Sequence, residues 1–253
     1  MSLTNPNPEK ETTVVGVDLG PACDNKSTGV VIATRSANGW SVTRDRTHWV
    51  RRGKQTDCNH LLTNTIRPSS LAVIDAPLCL GCSKPWEKIL CGCRRLKKSM
   101  KPSFSGIIGG HMWRAAALRQ LLADMLLIEI FPSAWFWLCD HDTTVEWKGD
   151  SRAKMRKVSW FKGRLKALGQ LGLSVSYGDR YASADDADAL PCVLCAVLAN
   201  EGWELQRLDN TQPPVLFPPR CLWDITRLPA SIRKLPWKSW TLPTEHEAGL
   251  FQI

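Results

Sequence analysis

The stretch VVGVDLG, residues Val14 to Gly20, predicts a buried β-strand that carries a carboxylate close to its end. Side chains alternate between the two faces of a strand, so Gly16 and Asp18 share one face while Val15 and Val17 share the other. A buried carboxylate costs several kcal/mol unless it is protonated, paired or bound to a metal. We therefore expect Asp18 to serve a purpose at this position, and metal binding is the first candidate.

Two later strands repeat this pattern. LAVIDAP, Leu71 to Pro77, places Asp75 at the carboxyl end of an apolar strand, directly before a turn signal. If this strand lies beside the first, the two carboxylates are neighbours in the sheet. LLIEIFP, Leu126 to Pro132, holds Glu129 inside a further apolar strand. Acids in three apolar strands of one sheet indicate a functional site.

An acidic helix start supplies further carboxylates. ADDADALPCVLCAVLAN, residues 184–200, predicts a helix in which Asp185 and Asp188 share one face, whereas Asp186 points elsewhere. Acids also cap helices and favour the positive end of the helix dipole, so capping explains this motif equally well when it is taken alone. Together with the two strand aspartates, however, these acids form the oxygen-rich set that a pair of Mg²⁺ or Mn²⁺ ions requires.

The order of the remaining elements predicts the fold class. Thr28 to Thr34 and Trp40 to Val50 predict two more strands, joined to the first in an antiparallel meander, and SVSYGDRYAS predicts a loop. Helices are predicted at about His111 to Met125 and in the basic window 148–166. We therefore expect an α/β fold with a mixed five-stranded sheet, three antiparallel strands and then parallel ones, covered by helices on both faces.

The composition suggests one main domain. Residues 1–12 predict a disordered tail, residues 13–205 the domain, with a basic cysteine-containing insertion at about 79–105, and residues 206–253 a proline- and tryptophan-rich extension packed on it. Neither an export signal nor a membrane-spanning segment is evident, so we expect a cytoplasmic protein with no membrane partner. Its ten cysteines then predict reduced thiols or metal ligands.

The net charge of +9 favours a polyanionic partner such as nucleic acid. The windows 84–101 and 148–166 carry 15 of the 33 lysines and arginines, and the alternative interpretation is that they are two solvated helical faces. Tryptophans near these windows, Trp86, Trp147 and Trp160, can stack on bases, although burial in the core is their commoner fate. The candidate phosphate contacts are Arg94, Arg95, Lys97, Lys98, Lys148, Arg152, Arg156 and Lys157.

Four cysteines follow Asp75 with the spacing C-x2-C-x8-C-x-C. Such thiolates can close a tetrahedral zinc site, while coincidence is the alternative in a chain with ten cysteines. Cys192 and Cys195 lie three apart on an apolar helix and predict buried core thiols. The candidate zinc ligands are Cys79, Cys82, Cys91 and Cys93.

Several short motifs occur in a characteristic order. They are GVDLG at 16–20, IDAPL at 74–78, IEIFPSAW at 128–135, Trp147 with Lys148, ADDADAL at 184–190 and the ending EAGLFQI. With these motifs the chain resembles the predicted RNase H-like nuclease family, also called domain of unknown function 429, over roughly residues 14–200 and the last few residues. The cysteine cluster and the proline-rich segment 210–245 depart from that family's pattern.

The resemblance implies a ribonuclease H-like fold related to RuvC-type resolvases. It also implies that the metal ligands are Asp18, Asp75, Asp185 and Asp188. Glu129 matches a family position and either binds metal or braces the site, and Lys148 is a candidate phosphate contact.

The leading functional hypothesis is a nuclease that hydrolyses DNA or RNA through a two-metal carboxylate site. The first alternative is a nucleic-acid-binding module that kept the fold without hydrolysis. The second is an actin-like small-molecule phosphotransferase, whose first strand is likewise followed by a glycine turn. No G-x-x-x-x-G-K-[ST] motif is present, which argues against a P-loop NTPase.

Overall fold

The computed structural model describes residues 12–20, 28–45, 58–75, 106–140, 151–178, 184–208 and 213–243. Residues 1–11 of the predicted tail, the cysteine-containing insertion and the EAGLFQI ending lie outside these ranges.

The centre of the sheet follows the predicted order. β1 (Thr13–Asp18), β2 (Gly29–Ser36) and β3 (Gly39–Arg44) are antiparallel neighbours. β4 (Leu71–Asp75) pairs in parallel with β1, and β5 (Leu127–Ile130) pairs in parallel with β4. The predicted mixed α/β sheet, with three antiparallel strands followed by parallel ones, is thereby confirmed.

The predicted strand count was too low. β6 (Val175–Tyr177) adds to the edge at β3, and β8 (Val215–Leu216) adds to the edge at β5, giving the order β6-β3-β2-β1-β4-β5-β8. Both edge strands pair in parallel with their neighbours, and β6 lies in the segment that we had predicted to be a loop. Strands of two or three residues are too short to show an alternating pattern, which explains the error.

Helices cover both faces, as predicted. α1 (Cys58–Ile66) and α2 (Gly106–Leu121) pack on one face. α3 (Pro132–Cys139), α4 (Ser151–Gln170) and α5 (Ala184–Asn200) pack on the other. We did not predict α1 or α3. None of the helices in the described ranges combines the length and apolar character needed to span a bilayer.

The C-terminal region packs on α3 through a cluster of its own. β7 (Leu205–Arg207) and β9 (Lys238–Trp240) form a small antiparallel sheet, and a short helix, α6 (Ala230–Arg233), lies between β8 and β9. The buried side chains of this region meet the outer side of α3. They include Phe217, Trp223, Leu228, Ile232 and Trp237, opposite Ala134, Trp137 and Leu138.

Candidate carboxylate site

Asp18 and Asp75 are direct neighbours across two strands. β1 and β4 run parallel, and the register pairs Asp18 with Asp75 at the last position of both strands. Adjacent strands lie about 4.8 Å apart, so two carboxylates in register and on the same face start from neighbouring backbone positions. Both residues are partly exposed, unlike the apolar residues that precede them. The condition on which the sequence made these carboxylates neighbours, that the two strands lie side by side, is met.

Gly16 brings helix α5 onto the same face of the sheet. A Cβ atom added to Gly16 would lie 2.2 Å from the backbone nitrogen of Val193 and 2.8 Å from the carbonyl oxygen of Ala189. Only glycine permits so close an approach of helix to strand. Because side chains alternate along β1, Asp18 faces the same side as Gly16, which is the side of α5.

The buried thiol of Cys192 shows how the acids gather around the start of α5. Its Sγ donates to the carbonyl oxygen of Val17 at 3.4 Å, so the thiol lies against the end of β1. Burial raises the pKa of Cys192 well above its ordinary value, and the negative charges of Asp75, Asp18 and Asp188 raise that pKa further. The three aspartates therefore lie near enough to the Cys192 thiol to act on its pKa, and the prediction of Cys192 as a core thiol is confirmed.

Asp188 has a buried cationic partner. The Nζ atom of Lys157 lies 2.5 Å from Oδ1 of Asp188, and the two side chains are 7% and 29% exposed. The same ammonium lies 5.8 Å from the centre of the Phe136 ring. The sequence suggested Lys157 as a phosphate contact, whereas the structure turns its side chain inward to Asp188. Its spacing of four from the buried Ala153 and Phe161 is the signal that puts it on the inner face.

Glu129 does not join the aspartates. It pairs in register with Ile74, which packs toward α1 and α2, while Ile128 and Ile130 on either side of Glu129 pack toward α5. Alternation therefore directs Glu129, which is 3% exposed, to the opposite face of the sheet. Of the two roles that we considered, this position disfavours metal binding together with Asp18 and Asp75.

The structure says less about the other predicted residues. Asp185 lies in the first turn of α5, one turn before Asp188, although its side chain is outside the described set, as is that of Arg152. Arg156 is partly exposed on α4, whereas Trp160 is buried and packs edge-on against Phe136 at 4.8 Å, so it belongs to the core. Outside the described ranges lie Cys79, Cys82, Cys91, Cys93, Arg94, Arg95, Lys97, Lys98, Lys148, Trp86 and Trp147.

Sequence reasoning missed Arg114. This arginine of α2 is 8% exposed and donates to the carbonyl oxygen of Gly20 at 2.5 Å and to Oγ1 of Thr28 at 3.0 Å. It thereby joins the end of the β1 segment to the start of β2 from the face opposite α5. Its spacing of four from the buried Leu118 was the available signal.

The chemistry of the gathered side chains suits a hard divalent cation. Asp18, Asp75 and Asp188 offer carboxylate oxygens, which Mg²⁺ and Mn²⁺ prefer, and Cys192 is held neutral by its burial. Among the described side chains, no three His, Cys, Asp or Glu residues are arranged as a ready metal-binding group. One oxygen of Asp188 is engaged by Lys157, and Asp18 and Asp75 lie side by side in register at the ends of β1 and β4.

No protein-family model matches the chain, and neither the curated proteins nor the solved structures contain a significant match. The functional argument therefore depends on the geometry described above.

Proposed function

We propose that the chain is a ribonuclease H-like, divalent-metal-dependent nuclease that hydrolyses phosphodiester bonds in DNA or RNA. The observation that carries this proposal is the register of β1 and β4, which sets Asp18 beside Asp75 on the face covered by α5. Two carboxylates in register at the ends of neighbouring strands offer oxygen ligands from adjacent positions, which is an arrangement that suits a divalent cation.

The topology supports the fold part of this proposal. The five central strands follow the order β3-β2-β1-β4-β5, with β1 in the middle, antiparallel to β2 and parallel to β4. A late helix, α5, covers β1, β2 and β4. This mixed sheet, antiparallel on one side of β1 and parallel on the other, agrees with the sheet predicted from the sequence and supports the fold part of the proposal.

Each of the site residues would have a distinct role in the reaction. A bound Mg²⁺ or Mn²⁺ would activate a water molecule and stabilise the leaving oxygen of a phosphodiester. Asp18 and Asp75 would hold the ion, and Asp185 and Asp188, which both belong to α5, would be the further ligands. Lys157 fixes the orientation of Asp188 through their ion pair. Lys154 and Arg156, both partly exposed next to Lys157 on α4, would attract the phosphate backbone of the substrate.

The decisive test is cleavage by the wild type and by Asp18→Asn. We expect the wild type to cut DNA or RNA with Mg²⁺ or Mn²⁺, and Asp18→Asn to lose roughly 100-fold or more of that activity, because a ligand oxygen becomes an amide. Asp124→Asn is the matched control, since Asp124 is exposed and pairs with Arg67. The control should cut like the wild type. Equal activity in Asp18→Asn and Asp124→Asn would contradict the proposal.

A nucleic-acid-binding module without hydrolysis is the second candidate. The ion pair between Lys157 and Asp188 favours it, because a carboxylate that already has a cationic partner needs no metal. In that case the wild type binds nucleic acid with strong salt dependence but cuts no substrate under either ion.

A further inference from the structure

Helix α4 has a one-sided distribution of charge. Its 20 residues include seven lysines and arginines and no acidic residue. Two of the seven make contacts within the protein: Lys157 pairs with Asp188, and Arg164 donates through Nη1 to the carbonyl oxygen of Cys139 at 3.3 Å. These two contribute to the fold, so the remaining positive charges of the helix need another explanation.

Two lysines lie in the middle of the outer face of α4, which consists of the exposed residues Met155, Ser159, Lys162, Gly163 and Lys166. Lys162 and Lys166 are four positions apart, and like charges at that spacing destabilise a helix. Within the described part of the chain, neither lysine pairs with a carboxylate. A negatively charged partner would relieve the repulsion between them.

Two exposed arginines elsewhere on the described surface do have acidic partners. Arg35 lies 3.3 Å from Glu201, and Arg67 lies 2.7 Å from Asp124. A surface whose charges are merely solvated usually mixes both signs in this way. The outer face of α4 has no compensating acid of its own, which favours an interaction with a polyanion.

The buried side of α4 argues against a membrane as that polyanion. An amphipathic helix that binds a membrane places its apolar side in the lipid. The apolar side of α4 is instead part of the protein core, where Phe161, Leu165 and Leu168 are buried. Only lysines and small or flexible side chains are left on the outer face, and a phosphate backbone requires no more than the lysines.

The outer face also lies at a suitable distance from the carboxylate site. Lys157, which pairs with Asp188 of that site, precedes Lys166 by nine positions, or about 14 Å along the helix. Phosphates of one strand of a duplex follow each other about every 3.4 Å along its axis, so this distance corresponds to about four phosphates. A strand that passes the site and follows α4 would therefore meet both lysines.

We propose that Lys162 and Lys166 bind the phosphate backbone of nucleic acid, as a second contact region outside the carboxylate site. This inference rests on the nucleic-acid substrate of the proposed function and deepens it, because it makes that substrate a polymer extending at least about four nucleotides beyond the site. The two lysines read no sequence, since contacts to phosphates position a nucleic acid without specifying its bases.

The salt dependence of binding tests this directly. Fluorescence anisotropy in EDTA, where no divalent ion supports cleavage, gives the affinity for DNA and RNA duplexes of about 20 base pairs. We expect Lys162→Gln/Lys166→Gln to bind the preferred duplex roughly tenfold more weakly than the wild type. The slope of log affinity against log salt concentration should become shallower by about 2, since each phosphate contact contributes about 0.9. Lys162→Arg/Lys166→Arg keeps both charges and should bind like the wild type.

Arg233→Gln/Lys234→Gln is the matched control. Both residues are exposed at the end of α6, and the substitution removes the same two positive charges. The control should keep the wild-type slope. Equal losses in the two glutamine variants would mean that only the net charge matters and would overturn the inference, as would a wild-type slope in Lys162→Gln/Lys166→Gln. Glutamine is a good helix former, so this variant should melt no earlier than the wild type.

The outcomes separate this inference from the proposed function. Metal-dependent cleavage by the wild type, with unchanged binding by Lys162→Gln/Lys166→Gln, would overturn only the second contact region. Salt-dependent binding that this variant loses, without cleavage under Mg²⁺ or Mn²⁺, would support the contact region and overturn the nuclease. Binding of polyglutamate or of anionic phospholipid vesicles, with no binding of DNA or RNA, would overturn nucleic acid as the partner.

Discussion

Gly16 and Asp18 act together at the scale of single residues. Asp18 provides the carboxylate, and Gly16, two positions earlier, lets α5 approach β1 until backbone meets backbone. The sequence predicted Asp18, its face and its neighbour Asp75, because apolar strands that end in an acid are conspicuous. It could not predict why a glycine is needed at position 16. That need depends on the packing of a helix that lies more than 160 positions away in the chain.

Replacing Gly16 with alanine should therefore destabilise the protein. The new Cβ would lie 2.2 Å from a backbone atom of α5, and backbone cannot move aside as a flexible side chain can. We expect Gly16→Ala to lower the free energy of unfolding by about 2 to 4 kcal/mol, measured by urea denaturation.

Gly163→Ala is the control for that experiment. Gly163 lies in the middle of α4, and an added Cβ would have no neighbour within 4 Å. Alanine there should raise stability by about 0.5 to 1 kcal/mol through its better helix propensity. Equal changes in unfolding free energy for the two substitutions would show that α5 does not pack against β1 as closely as described.

At the scale of elements, helices with a clear sequence pattern were predicted well, and those without one were missed. The bounds predicted for α5 match the observed Ala184–Asn200, because an acidic first turn followed by a long apolar run is a clear helix signal. α3 was missed because nearly all of its eight residues are apolar and show no periodicity. Pro191 lies within the bounds of α5.

The contact between α4 and α5 was beyond the reach of sequence patterns. α4 was predicted as a basic helix, and its charge suggested a solvated face. The structure turns Lys157 inward to Asp188, a pairing between two helices that no local spacing encodes. The aspartates could therefore be predicted from single strands and one helix turn. The lysine that pairs with Asp188 could not.

At the scale of the whole molecule, the C-terminal region is part of the fold. Its strand β8 continues the main sheet beside β5, and its tryptophans share a buried cluster with α3. The composition of this region, rich in proline and tryptophan, predicted packing on the domain, whereas the two residues of β8 are too few to show a strand pattern.

Substitution of Trp237 tests how much the buried cluster of the C-terminal region contributes to the stability of the protein. Its ring is 9% exposed and packs edge-on against Phe217 and Trp223 at 5.2 and 4.9 Å, and its Nε1 donates to the carbonyl oxygen of Ile232 at 2.8 Å. We expect Trp237→Ala to lower the unfolding free energy by about 3 to 5 kcal/mol, with one cooperative transition.

Trp240→Ala serves as the comparison. Because Trp240 is only partly buried, this substitution should lower the unfolding free energy by less. A thermal melt monitored by circular dichroism distinguishes the two variants. An unchanged midpoint in Trp237→Ala would mean that the C-terminal region contributes little to the stability of the domain.

The central claim is that Asp18 and Asp75 form one cation site beneath α5. Crystals soaked in Mn²⁺ test it most directly, through the anomalous scattering of the metal. We predict an anomalous peak about 2.2 Å from carboxylate oxygens of both aspartates. A well-ordered site with no peak there, or with Mn²⁺ bound only elsewhere, would contradict the account.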